Sequence, residues 1–225
     1  MLTVIVLSGD IREDQVCRAW LQQADDIICA DGGARHLRRL RIWPHLLVGD
    51  LDSIDATSQA WLRSQAVAIE RHPVRKDETD AELAMLAALR RNPQPDDHHS
   101  LVVLGALGSR PDHVLATQML AVRLARPNRA WLLSDGVSSL YTLTGGQVLE
   151  LACPEPDSRG WYVSTIPFSD QISGLTYSGL GYPLRQATLQ RGSTRGISNQ
   201  FTSEGRATLS LDTGTALVCV TRENV

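Results

Sequence analysis

The first 135 residues alternate short apolar runs with segments of helical periodicity. Leu2–Leu7, Ile27–Ala30, Leu46–Val48, Val67–Ile69, Leu101–Gly105 and Ala130–Leu133 read as buried strands. Glu13–Gln22, Gly33–Leu40, Ala56–Gln65, Thr79–Arg90 and Pro111–Ala125 read as helices between them. In the last, Val114, Gln118, Met119 and Val122 recur near the helical period, and Pro111 suits a first helical position. Strand–helix alternation of this kind predicts a mostly parallel, Rossmann-like sheet covered by helices. Asn92–Ser100 reads as a surface loop within that domain.

After Ser134 glycine and turn residues become frequent and helical periodicity stops. Ser139–Leu143, Val148–Leu151, Tyr162–Ile166, Gly174–Tyr177, Arg185–Leu189, Ala207–Leu211 and Ala216–Val220 read as short strands. The chain is therefore expected to join an α/β domain, 1–137, to an all-β sandwich domain, 138–225.

Composition narrows the function. Hydrophobic residues make up 43%, charged residues 21%, and formal net charge is −3 with no long basic run. That disfavours a nucleic-acid partner or a polybasic membrane anchor. No apolar stretch approaches the roughly 20 residues of a membrane span, and the N-terminal run lacks a basic region before it, reading as a strand rather than a signal peptide. Cys17, Cys29, Cys153 and Cys219 show no CxxC pairing, as expected of reduced thiols in a cytoplasmic protein.

Four aspartate motifs follow predicted strands, where open α/β sheets bind ligands. Asp50 and Asp52, two apart on a segment read as extended, point to one side and suit Mg²⁺ beside phosphate; equally, they form a turn with Ser53 capping the next helix. Asp80 opens a helix capped by Thr79 or Asp77, and either offsets the helix dipole or faces the same metal. Lys76 can pair with a phosphate or with neighbouring acids. Asp31-Gly32-Gly33 brings backbone and a helix N-terminus close to a phosphate, or is a plain turn. Arg110 can fork onto phosphate oxygens, with Asp112 in the first helical turn. His113 reads as a packing residue, and the His98-His99 pair as polar loop. In the second half, Ser198, Asn199 and Phe201 either read a heteroaromatic ring or form a strand-end turn.

The ordered set ADGG, GDLDS, KDETD, GSRPDH and SNQF resembles the thiamine pyrophosphokinase family over nearly the whole chain. The resemblance implies an α/β domain joined to a β-sandwich, a homodimer with active sites in clefts between subunits, and MgATP and thiamine as substrates. It implies transfer of the β,γ-pyrophosphoryl group of ATP to the thiamine hydroxyl, releasing AMP. By resemblance Asp50, Asp52 and Asp80 hold metal and belong to the catalytic set. Asp31, Gly32, Lys76, Asp77, Arg110 and Asp112 serve the nucleotide and its phosphates, Arg110 and Asp112 also taking part in catalysis. Ser198, Asn199 and Phe201 serve thiamine. The pattern departs from the family at Gly108-Ser109-Arg110, at Pro111, and in lacking a tryptophan soon after Asn199; Phe201, Tyr182 and Trp161 are the candidates to stack on thiamine. Another metal-dependent transferase acting on a nucleotide diphosphate, or a non-catalytic thiamine or nucleotide sensor, are the rival readings.

Overall fold

The apolar runs of the first half become strands buried on both faces, the environment that favours unbroken Val, Ile and Leu. The computed structural model describes residues 1–93 and 99–223; His98 lies outside them. Elements run β1 (Leu2–Val6), α1 (Asp14–Gln23), β2 (Asp26–Ala30), α2 (Ala34–Leu40), β3 (Leu46–Gly49), α3 (Ala56–Arg63), β4 (Ala68–Arg71), α4 (Asp80–Arg91), β5 (Ser100–Leu104), α5 (Pro111–Leu124) and β6 (Trp131–Ser134). Then come β7 (Ser139–Thr144), β8 (Val148–Ala152), β9 (Trp161–Pro167), β10 (Gln171–Ser178), β11 (Ala187–Gln190), β12 (Asn199–Gln200), β13 (Arg206–Ser210) and β14 (Thr215–Arg222). The chain forms two compact units: Met1–Leu120 with Trp131–Val137, and Ala121–Ala130 with Ser138–Val225.

In the first unit the strands lie in the order β6-β5-β1-β2-β3-β4, and every pairing is parallel. Successive strands step outward from β1 to β4, and β5 then returns to the other side of β1. The strand order thus reverses between β1 and β5, where loops diverge and open a crevice at the carboxyl ends. Val4, Ile5 and Val6 are wholly buried, each stabilising the fold by roughly 1.5–3 kcal/mol. α4 packs on β1, β2 and β3, burying Leu83, Ala84, Met85, Ala87 and Ala88. β4 is largely exposed, as its place at the sheet edge dictates.

The caps differ in part from the sequence expectation. Thr79 caps α4, its Oγ1 accepting from Glu82 N at 3.2 Å. Ser53 does not cap α3; Asp55 does, accepting from Ser58 N at 2.9 Å. Ser53 is thereby released for the carboxylate cluster below.

The second unit holds two antiparallel sheets, β12-β9-β14-β7 and β11-β10-β13-β8. Alternate residues of both sheets, among them Trp161, Val163, Val218, Ile172, Leu189 and Leu209, share one core. This is the predicted sandwich. No helix among the described residues is long and apolar enough to cross a membrane.

Candidate functional site

The carboxyl ends of β2 and β3 and the start of α4 bring four carboxylates together. Asp31 follows β2 directly with a left-handed φ of 37° and is 3% exposed. Its Oδ2 accepts from Ser53 N at 3.3 Å, while Oδ1 is buried with no hydrogen-bond partner. Asp50 Oδ1 accepts from Asp52 N at 3.1 Å, and Ser53 Oγ donates to Asp52 Oδ1 at 3.0 Å. Asp50 and Asp52 do not sit on an extended segment as expected: Leu51, φ 72°, bends the chain into a turn. The turn still gathers them, since one carboxylate oxygen from each of Asp31, Asp50 and Asp52 lies within 4.8 Å of the others.

Lys76 bridges the cluster, its Nζ 3.3 Å from Asp50 Oδ2 and 2.9 Å from Asp80 Oδ1. The Asp80 contact is a close ion pair, not an aligned hydrogen bond. Burial pushes the Asp31 carboxyl above its usual range; the bonds from Ser53 oppose this, and the charges of Asp80 and Asp50 reinforce it. The Asp52 N–H holds Asp50 below its usual range against burial, with help from Lys76. Burial draws the Lys76 ammonium down, but Asp80 and Asp50 outweigh it and raise the group. Gly49, φ +144°, lets the walls meet: a Cβ there would lie 3.0 Å from Asp31 Cβ and 3.3 Å from Asp80 Oδ1.

This donor set fits a hard divalent cation, which takes carboxylate oxygens and tolerates retained water or phosphate ligands. A buried, unpartnered acceptor such as Asp31 Oδ1 costs roughly 1–3 kcal/mol until something meets it. Among the described residues, the group whose oxygens lie close enough to share an ion is Asp31, Asp50 and Asp52; the sequence expectation was Asp50, Asp52 and Asp80, and Asp80 adjoins the group through Lys76.

Beside the cluster, at the reversal of strand order, lies a cavity of about 300 Å³. Its walls include Ser8 and Gly9 after β1, Asp31 and Gly32 after β2, Ser53, Thr79 and Asp80, Gly105 to Arg110 in part, and His113, Val114 and Thr117 of α5. The loops after β1 and β5 touch through backbone, Gly9 N donating to Gly105 O at 3.0 Å. A Cβ on Gly9 would lie 2.4 Å from that same oxygen. Asp10 Oδ2 accepts from Ser109 N at 3.2 Å. Behind the loop, buried His36 places Nε2 2.7 Å from Gly9 O. A carbonyl only accepts, so Nε2 carries the proton and Nδ1 is left to accept from Arg39 at 3.3 Å. Burial lowers the pKa of His36, against the opposing effect of its bond to Gly9 O.

Arg110 and Asp112 form an exposed fork, with contacts of 2.6 and 3.2 Å. Hydrogen bonding to Arg110 holds the Asp112 carboxyl at about 2. His113 is not the packing residue expected; it is exposed on the cavity wall. Asp77 is exposed and is not part of that wall. Ser8, Gly9, Asp10 and Thr117 were missed by sequence reasoning. Their signal was position: Ser8-Gly9-Asp10 follows a strand just as the recognised aspartate motifs do. His99 contacts Thr3 Oγ1 at 3.1 Å, a structural role.

In the second unit a cavity of about 480 Å³ is lined by Tyr177, Tyr182, Leu184, Arg195, Ile197, Ser198 and Asn199. Ser198 takes φ 58° and donates its N–H to Ser164 Oγ at 3.0 Å. Asn199 is 5% exposed. Its Oδ1 accepts from Tyr182 N and Gln200 N, both at 2.9 Å, and its Nδ2 donates to Tyr182 O at 2.8 Å. Two of its three side-chain hydrogen bonds therefore hold the Tyr182 segment. Phe201 departs from expectation: it is 6% exposed within the sandwich core and offers no face to a ligand. Trp161 is buried in the same core, whereas Tyr182 is 71% exposed. Of the six non-glycine residues with positive φ among the described residues, Asp31, Leu51, Ser109 and Ser198 fall in these motifs. Such backbone strain gathers where side chains must be aimed.

Family models match the two halves of the chain separately. The family model described as thiamin pyrophosphokinase, catalytic domain, matches residues 17–132, and that described as thiamin pyrophosphokinase, vitamin B1 binding domain, matches 149–216. Thiamine pyrophosphokinase of Bacillus subtilis is 32% identical over 187 residues, covering 83% of each chain. Thiamine pyrophosphokinase 1 of Oryza sativa subsp. japonica is 27% identical over 189 residues, covering 76% of this chain and 70% of that protein. The crystal structure of the Bacillus subtilis enzyme matches with a TM-score of 0.82 at 26% identity, over 100% of both chains. Thiamin pyrophosphokinase from Candida albicans shares the fold, with a TM-score of 0.80 at 18% identity over 99% of this chain and 89% of that one.

Proposed function

The chain belongs to the thiamin pyrophosphokinase family, and we propose that it transfers the pyrophosphoryl group of MgATP to the hydroxyl of thiamine, yielding thiamine diphosphate and AMP. The observation that carries this reading is the gathering of Asp31, Asp50 and Asp52, joined to Asp80 through Lys76, beside a cavity at the carboxyl ends of parallel strands.

Asp50, Asp52 and Asp80 hold the metal in this proposal, with Asp31 as a fourth acid. Bound there, Mg²⁺ would supply electrostatic stabilisation to the phosphate oxygens. The glycine loops after β1, β2 and β5 admit a polyphosphate chain close to backbone N–H groups. Lys76 and Arg110 counter the charge that develops on nonbridging oxygens as the β-phosphorus is attacked. Asp112, held at about 2 by Arg110, orients that guanidinium and is a poor proton acceptor. Ser198 and the Tyr182 ring offer the acceptor substrate a polar contact and an aromatic face. Residues 1–137 are the proposed catalytic part and 138–225 the thiamine-binding part. A homodimer in the cytoplasm belongs to the same reading and rests on family membership.

One assay tests the reaction. Incubation with MgATP and thiamine, read by mass spectrometry, is expected to yield thiamine diphosphate and AMP in equal amounts. ADP as product, or no product, would exclude it. Light scattering in solution tests the dimer.

A further inference from the structure

Four carboxylates share the corner around Gly49, and Lys76 is placed among them. Its side chain is 11% exposed, that of Asp50 8%, and it reaches Asp50 and Asp80 together. Asp31 stands against Asp80 across Gly49, and Asp52 closes the group. A half-buried set of acids is costly without compensation, and this ammonium provides it. The geometry has a consequence for loading. Nζ already engages the lysine-facing oxygens of Asp50 and Asp80, at 3.3 and 2.9 Å, so a divalent ion must share those oxygens with the ammonium or displace it. An ammonium and a divalent cation in the same pocket also repel each other.

We propose that Lys76 is a resident counter-ion of the acidic cluster, which releases the carboxylates to the metal when a polyphosphate arrives to take up its ammonium. The inference rests on the metal site of the preceding section. Lysine suits the exchange: its charge is a point on a flexible four-carbon stem with three donors, able to turn from carboxylate to phosphate without a fixed fork. The result is coupling. Metal alone competes with the lysine, whereas metal arriving with a triphosphate finds the lysine engaged elsewhere. Because the coupling is between two binding equilibria, it acts equally in both directions.

The test is direct binding of Mn²⁺ to the full chain, followed by electron paramagnetic resonance, with and without α,β-methylene-ATP. In Lys76→Met, nucleotide-free affinity for Mn²⁺ is expected to rise at least tenfold over the unaltered chain. The additional tightening caused by the nucleotide is expected to shrink by a similar factor. Circular dichroism reports whether the variant folds, and Lys76→Gln, which keeps a polar head, provides a second fold-compatible case. Mg²⁺ alone is expected to raise the melting temperature of either variant more than that of the unaltered chain. Equal Mn²⁺ affinity in variant and unaltered chain would overturn the proposal. So would weaker binding in the variant, which would make Lys76 a scaffold that holds the acids in place. Adding Asp52→Asn separates the two levels. If it abolishes Mn²⁺ binding in both backgrounds, the site is the one described, and only the lysine exchange is being judged. If Mn²⁺ binding survives it, the metal lies elsewhere, and the proposed metal site falls together with the exchange.

Discussion

Replacing Gly49 with alanine perturbs the acidic corner without touching a charge. Two effects act together. The residue has φ +144°, outside the regions an L-residue readily adopts, and such backbone strain costs about 1–3 kcal/mol. The new Cβ would also stand 3.0 Å from Asp31 Cβ and 3.3 Å from Asp80 Oδ1, so both acids must retreat by a few tenths of an ångström. For a chain of this size each kcal/mol shifts the melting midpoint by about 2–4 °C, giving an expected drop of about 2–12 °C. Misplacement by 1 Å can cost about a hundredfold in rate, so kcat is expected to fall on the order of tenfold or more. Gly192→Ala is the control: φ is +84° there, and nothing lies within 4 Å of the added Cβ. It should lower the melting midpoint while leaving kcat unchanged. Melting by circular dichroism and turnover by AMP release make the comparison. Unchanged kcat in Gly49→Ala, or equal loss of kcat in both variants, would refute the steric account of the site.

Three further outcomes are expected. Asp52→Asn should reduce kcat by several orders of magnitude while leaving thiamine affinity close to normal; near-normal kcat would remove Asp52 from the metal set. Asn199→Ala should raise the thiamine KM with the ATP KM preserved, because it frees the Tyr182 segment rather than disturbing the donor site; steady-state kinetics in each substrate decides. Asp31→Asn should be inactive yet more stable to urea at pH 7. The folded chain raises the pKa of this acid, so its stability contribution is complete below the unfolded value of about 3.9 and is lost as pH rises through the folded one. The stability gap between variant and unaltered chain should therefore close as pH falls towards 4.

Much of the fold was legible locally. A continuous apolar run such as Leu101–Leu104 has few environments open to it other than a strand covered on both faces, and the glycine-rich alternation after Ser134 suits a half-buried antiparallel pair. The aspartates were legible because Asp31 and Asp50 directly follow strands and Asp80 opens a helix. Less legible were details set by neighbours distant in the chain. Ser53 was expected as a helix cap, but Asp55 is better placed, and Ser53 instead serves Asp31, 22 residues earlier. Phe201 looked like a ligand-facing ring; strand pairing turned it into the sandwich core.

By itself, the sequence determined element types and the residues available for chemistry, because hydrophobic period and turn chemistry act over a few residues. Motif order went further and indicated the family. Only the tertiary structure decided that β5 returns beside β1, which opens the cavity and brings Ser8-Gly9-Asp10 against Gly105–Ser109. It likewise decided that Asp31 meets Asp50 and Asp52, and that Asn199 grips Tyr182. Those contacts depend on strand order and register, which arise from packing whole surfaces against one another, and no local pattern in the chain encodes them.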